Sequence, residues 1–242
     1  MDVKASTIND RNKNVQQKDS PIKELAELGF CVDTLTALEP AIAATRLVHY
    51  NAGDTLFREG ESVEALYVIS EGRIKLLNHL ENGRARIIRL HNRGSTIGLD
   101  GLMDEAHMHT AVAIDEVKVY QVPMHLIKTA KDEDSDAYCQ LLEYWHEYLK
   151  IADTWITDFS TGAIRGRVAR LIRFLVEHDE ATGPREVVLL TVEEMADVLG
   201  VTPESVSRIM ADLKRRKILQ AVDGLPNQYR CDLKAIEQEA EE

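Results

Sequence analysis

Around Pro123 the sequence changes period, and that change limits the chain to two dissimilar parts joined by a helix. From about Thr45 to Val122, short alternating apolar runs (LVHY, ALYVIS, RIKLL, RARIIRL, VKVYQV) are separated by turn signals at 51–54, 58–61, 70–72, 81–83 and 92–94. A period of two sends successive side chains to opposite sheet faces, so strands at this spacing predict a small β-sandwich or barrel. Residues 21–44, ahead of the strands, read as helical. After Pro123 the apolar residues Tyr138, Leu141, Trp145, Tyr148, Ala152, Trp155 and Phe159 recur at alternating steps of three and four. That spacing lines them along one seam of a continuous helix, and a seam of this kind wants a partner helix. Leu142, Leu149 and Ile156 form a second apolar face, suited to packing on the chain's own β-domain, so the seam is expected at a parallel dimer interface.

The C-terminal third carries the most specific pattern. Ala163–Glu177 reads as a helix with Ile164, Val168, Leu171, Ile172 and Leu175 on its apolar side, and Gly183-Pro184 breaks the chain before a short strand at VVLL. Thr191 and Glu194 have capping-box spacing, which satisfies free amides at the start of a helix that buries Met195, Val198 and Leu199. Gly200-Val201 makes a tight turn. Thr202 then serves as N-cap and Pro203 as first helical residue, where a missing N–H costs nothing. On this second helix Val206, Ile209, Met210 and Leu213 face inward, leaving Glu204, Ser205, Ser207 and Arg208 outward.

Two helices joined by a glycine turn, the second with a polar N-terminal face, form a helix-turn-helix able to enter a DNA major groove. Arg208 can donate two bonds to guanine O6 and N7, Glu204 can accept from a cytosine amino group, and Ser207 is a permissive contact. Thr191 and Thr202 stand where hydroxyls and helix N-termini bind phosphate. A plain surface ion pair between Glu204 and Arg208 is the competing interpretation. The apolar residues after Ile218 and the Asp223-Gly224 turn predict two short strands, the wing of a winged helix-turn-helix. The expected fold class is therefore α+β: an N-terminal β-roll (a jelly roll), a long dimerisation helix and a C-terminal winged helix-turn-helix. The predicted segmentation is a disordered polar tail over 1–20, a β-roll sensor domain over 21–128, the dimerisation helix over 129–160 and the winged helix-turn-helix DNA-binding domain over 161–242.

Charge bears on this by location. The net charge is −12, but residues 1–159 hold 17 Lys/Arg against 26 Asp/Glu, whereas 160–242 hold 12 against 15. Arg208, Lys214, Arg215, Arg216 and Lys217 fall within ten positions, and local field governs phosphate binding more than net charge does. No apolar run approaches the roughly 20 residues a bilayer span requires, and the N-terminus lacks an apolar signal region, so no membrane partner and a cytoplasmic location are expected. Cys31, Cys139 and Cys231 are dispersed, which argues against an iron–sulfur cluster or a structural zinc site. No Ser/His/Asp, Cys/His, H-E-x-x-H or P-loop pattern occurs, so no enzyme is expected.

The stretches TVEEMADVLGVTPESVSRIMADLKRRKIL and YNAGDTLFREGESVEALYVISEGRIKLL resemble, respectively, the DNA-binding signature and the β-roll of the CRP/FNR regulators. The resemblance runs from about residue 20 to 235. It implies a homodimer bound to double-stranded DNA at an inverted repeat and working with RNA polymerase, more as an activator than a repressor. Glu204, Ser207 and Arg208 resemble the E..SR pattern of the FNR-like branch, while the catabolite-activator branch has Arg at Pro203 and Gly at Ser207. The implied half-site is TTGA, in an operator like TTGAT-N4-ATCAA.

The effector pocket departs from the family's cyclic-nucleotide pattern. The ungapped match is Gly98-Leu99-Asp100-Gly101-Leu102 followed by His109-Thr110. Leu99 stands where cAMP-binding relatives have the ribose-binding Glu, and His109 stands where they have the phosphate-binding Arg. Ala152 takes the place of a base-contacting hydroxyl. An Arg fork suits phosphate in a way a neutral imidazole does not, so cyclic-nucleotide control is the alternative and another signal is expected. His107, His109 and His146 are the candidates for a haem axial ligand, since imidazole is a common donor. A ligand-binding sensor module without DNA binding is the alternative of another class. Residues 191–217 argue against it.

Overall fold

The computed structural model describes residues 21–29, 38–81, 83–103, 106–133, 135–178 and 186–241; between 130 and 149 it describes side chains only for Cys139 and His146. The predicted tail, Cys31 and the Gly183-Pro184 break lie outside the described residues. Among the described residues, two helices, α1 (Pro21–Glu27) and α2 (Glu39–Ala43), precede eight strands: β1 (Arg46–Tyr50), β2 (Thr55–Phe57), β3 (Ala65–Glu71), β4 (Ile74–His79), β5 (Ala85–His91), β6 (Thr96–Ile97), β7 (Thr110–Ala113) and β8 (Val117–Pro123). They pair antiparallel into two four-stranded sheets, ordered β1-β8-β3-β6 and β2-β7-β4-β5. This is the expected jelly-roll sandwich.

Sequence pattern explains the layering. In β3 the run ALYVI is buried on both faces, because the sheet is covered twice. One face meets Phe57, Ile74, Ala111 and Ala113 between the sheets. The other receives Leu25, Ile42, Leu102, Met124 and Ile127 from the flanking helices. Continuous apolar runs mark strands covered in this way, whereas half-solvated strands alternate. Beyond β8 come α3 (Met124–Glu133), the 26-residue α4 (Ser135–Ser160) and α5 (Ile164–Glu177).

The C-terminal part comprises β9 (Glu186–Val188), α6 (Val192–Leu199), α7 (Pro203–Arg215), β10 (Leu219–Ala221), β11 (Gln228–Cys231) and α8 (Leu233–Glu241). Strands β10, β11 and β9 form the wing sheet in that order. Helix α8 is an addition to the sequence reading, which ended the wing at Leu233. Asp232 starts it, its carboxylate accepting from the Ala235 N–H at 3.3 Å, and α8 buries Ile236 and Ala240.

The dimer seam needs correcting at its C-terminal end. Trp155 and Phe159 are 7% and 1% exposed, packed against one another and against Phe174 of α5 in edge-to-face geometry. They belong to the core of their own chain, and Ile156 is instead 60% exposed. The reason lies in α5, whose Phe174 closes an aromatic triad that burial and ring-edge attraction both favour. The side chains of Tyr138, Leu141, Trp145 and Tyr148 lie outside the described set.

Candidate nucleic-acid interface and sensor cassette

Helix α6 begins as its sequence requires. The Thr191 hydroxyl accepts from the Glu194 N–H at 3.2 Å, and Glu194 Oε2 accepts from the Thr191 N–H at 3.0 Å. Gly200, in the left-handed region at φ 62°, ends the helix. Thr202 then caps α7 through the Ser205 N–H at 3.4 Å, with Pro203 in its first turn. Val206, Met210 and Leu213 are buried in the core shared with α6, which leaves Glu204, Ser207 and Arg208 exposed together at the start of α7. Ser205 differs from expectation: it is half-buried, with its hydroxyl 3.1 Å from that of Thr202, so it serves the cap.

The basic cluster after Arg208 is largely spoken for. Asp212 pairs with Arg215 and Arg216, and buried Glu239 pairs with Arg216 at 2.5 Å. Arg165 of α5 bridges both acids, at 2.6 Å to Asp212 and 2.7 Å to Glu239. Lys214 lies 4.7 Å over the Tyr229 ring. Arg165 and Arg216 fasten α7 to α5 and α8, whereas Arg215, its side chain 79% exposed, pairs with Asp212 of its own helix. Glu239 and Arg165 were not singled out from sequence; a glutamate at buried spacing with Ile236 was the available signal.

A second set of contacts joins the β-roll to this unit. Glu194 Oε1 accepts from Lys75 of β4 at 2.7 Å, so one carboxylate both caps α6 and ties it to the β-roll. Arg86 donates to the Asp197 carbonyl at 3.2 Å, Arg84 to the Val201 carbonyl at 3.1 Å, and Arg73 to the Val188 carbonyl at 2.7 Å. Leu77 and Ile87 of the β-roll belong to the same apolar cluster as Met195, Leu199 and Val206.

These acids give an acid-stability prediction with a defined sign. Burial alone would raise the Glu194 carboxyl, but Lys75 and the Thr191 cap overcome it and hold it below its ordinary range. For Glu239 burial is likewise outweighed by Arg165 and Arg216, and Arg165 lowers Asp212. A depressed folded-state pKa contributes stability that is complete above the unfolded value, about 4 for carboxylates, and is lost as pH falls through the folded value. Melting temperature should therefore fall steadily below about pH 5, and Glu239→Gln should flatten that slope. An unchanged slope in the Gln variant would remove Glu239 from the account.

The cassette residues meet, but chiefly one another. Gly98, at φ 87°, starts the short 3₁₀ turn Leu99–Leu102, and a side chain there would press on the Ala65 carbonyl. Leu99 is 5% exposed and faces the apolar layer under α1 and α3. Asp100 accepts from the Gly101 and Met108 N–H groups at 3.2 and 3.1 Å, and its Oδ2 lies 3.5 Å from His107 Nδ1. Burial pushes its carboxyl up, and these donors bring it below the usual range. Glu59 N–H donates to the Thr110 hydroxyl at 3.1 Å, and His109 Nδ1 lies 2.6 Å from Asn78 Oδ1. Burial lowers the His109 pKa.

The three candidate haem histidines occupy different settings. His107 is 2% exposed and stacked on Phe57 at 3.6 Å, His109 is half-buried against Asn78, and His146 is exposed on α4. Phe57 covers one ring face of His107, and Asn78 engages the Nδ1 of His109. Cys231 is buried, its thiol pushed up to about 12 by desolvation, and Cys139 is exposed on α4. Among the described residues no group of three or more His, Cys, Asp or Glu could hold a metal ion, and no helix is long and apolar enough to cross a membrane.

Residues 47–133 match the cyclic nucleotide-binding domain family, and residues 169–238 match the Crp-like helix-turn-helix domain. The chain belongs to the CRP/FNR family of transcription regulators. Among its CRP/FNR relatives, the transcriptional regulator LdrP of Thermus thermophilus is 28% identical over 189 residues, covering 77% of this chain and 93% of LdrP. The fumarate and nitrate reduction regulatory protein of Escherichia coli is 27% identical over 175 residues, covering 71% and 70%. A CRP-family regulator structure from Thermus thermophilus superposes with TM-score 0.67 at 25% identity, over 80% of this chain and 96% of that one. FixK2 of Bradyrhizobium japonicum, at 21% identity over 81% and 96%, shares the fold with TM-score 0.71. A CRP/FNR regulator acts on transcription through its helix-turn-helix, and its known relatives here are regulators and not enzymes.

Proposed function

We propose that this chain is a cytoplasmic homodimer that binds a TTGA-type inverted repeat and activates transcription with RNA polymerase, in response to something other than a cyclic nucleotide. The observation that carries the DNA reading is the exposure of Glu204, Ser207 and Arg208 on one N-terminal face of α7, whose opposite face buries Val206, Met210 and Leu213. A rigid helix presenting an Arg fork and a carboxylate on its first two turns suits a G·C pair read in the major groove.

The dimer reading moves by one position along α4. With Trp155 and Phe159 in the chain's own core, exposed Ile156 takes the partner-facing role, and Leu149 and Leu142 share its heptad position in the sequence. Ala152, half-buried, fits the same interface. Two such helices in parallel place two recognition helices for half-sites one DNA turn apart.

Against a cyclic nucleotide stand Leu99, sunk in an apolar layer where a ribose acceptor would be needed, and His109, held by Asn78 where a phosphate fork would be needed. The deciding experiment is fluorescence anisotropy of labelled TTGAT-N4-ATCAA with native mass of the complex. A 2:1 protein–duplex complex that forms without cAMP and gains nothing from it is expected; cAMP-dependent binding, or a monomer on DNA, overturns the reading.

A further inference from the structure

A cleft of about 330 Å³ opens where β5, the end of α4 and α5 converge. Its floor is the Trp155–Phe159–Phe174 triad, and none of its lining residues belongs to the Gly98–Thr110 cassette. In a chain of net charge −12, its walls carry four cations, Arg89, Lys150, Arg170 and Arg173, against two acids, Asp158 and Glu177. Arg170 donates to the Asp158, Ala240 and Thr161 carbonyls at 2.8, 2.9 and 2.6 Å, so its charge has no carboxylate partner among these contacts. Arg173 keeps only a loose 3.7 Å approach to Glu177.

We infer that this cleft is a binding site for a small amphipathic anion, an aromatic or similarly flat apolar body bearing one carboxylate or sulfonate-like group. An apolar cleft of this volume with a few convergent charged groups is the usual form of a small-molecule site. The apolar body lies over the floor at Trp155 and Phe174, where aromatic edge contact is favoured, and the acid group meets the cationic rim formed by Arg173 and Lys150. Because the walls come from the sensor sheet, the long helix and the first helix of the DNA-binding unit, occupancy fixes the angle between them. A ligand that binds one angle better than another shifts the dimer between arrangements. The regulatory half of this inference rests on the DNA-binding reading; the binding half does not.

The probe is 8-anilinonaphthalene-1-sulfonate, added to full-length protein carrying Trp145→Phe, which leaves Trp155 as the one tryptophan. Saturable one-per-chain binding with energy transfer from Trp155 is expected, with displacement by naphthalene-2-sulfonate and not by neutral 2-naphthalenemethanol. The double variant Lys150→Glu/Arg173→Glu, both residues at the solvent edge, is expected to fold and to weaken binding more than 10-fold. Absence of transfer, equal displacement by the neutral compound, or unchanged affinity in a folded double variant overturns the site. Operator affinity measured with and without saturating probe should differ by 5-fold or more; no difference overturns the regulatory half. Failure of the operator itself would leave the Trp155 signal intact, so the two readings fail separately.

Discussion

Replacing Gly200 by valine should lower stability by about 3 kcal/mol and take the melting temperature down by roughly 6–12 °C, with loss of operator binding. Two costs combine. Gly200 sits at φ 62°, where a left-handed L-residue costs about 1–2 kcal/mol and a β-branched one is most strained. A Cβ there would also displace the Arg86 guanidinium, the far end of a flexible side chain, which can move aside at the cost of its hydrogen bond to the Asp197 carbonyl. The overlap can be separated from the strain by a cycle: Gly200→Ala in an Arg86→Ala background should cost less than in the parent, because only the backbone term remains. Strictly additive melting shifts would mean that Arg86 does not press on the turn.

Arg208→Ala is expected to leave the fold unchanged, since Arg208 is exposed and the inner face of α7 is intact. Its effect should appear on DNA. A bidentate Arg–guanine contact is worth about 1–3 kcal/mol, and two half-sites double it, so affinity for the TTGA repeat should drop by roughly 30-fold to over 10,000-fold. Affinity for TTAA sites should change far less, collapsing the preference. If the variant still prefers TTGA by the parental ratio in an anisotropy titration, the guanine contact belongs to another residue.

The elements carrying local chemistry were legible in the sequence. Thr191, Glu194, Thr202 and Pro203 announce two helix starts because caps act within three residues of themselves, and the structure places both there. The turns that divide the β-roll are equally local. What failed was the choice of face on α4. A three-four spacing shows that Trp155 and Phe159 are covered; it does not show by what, and Phe174 supplied the answer from the next helix. The ties of Lys75, Arg84 and Arg86 to α6 and its turn were invisible for a related reason. On a strand that alternates, a basic residue reads as solvent-facing, and its partner here stands more than a hundred positions away. The same holds for Arg165 and Glu239, which meet across 74 residues.

Leu77 and Ile87 of the β-roll share one apolar cluster with Met195, Leu199 and Val206 of the helix-turn-helix. One consequence concerns how such proteins can be recombined. A sensor grafted from a relative would bring its own surface to α6, and any graft ending at α4 would leave Met195 and Leu199 facing side chains shaped for another neighbour. The exchangeable part of this chain is therefore not the β-roll by itself. The β4–β5 hairpin travels with the helix-turn-helix, and a new signal would have to enter beneath it, from the opposite sheet.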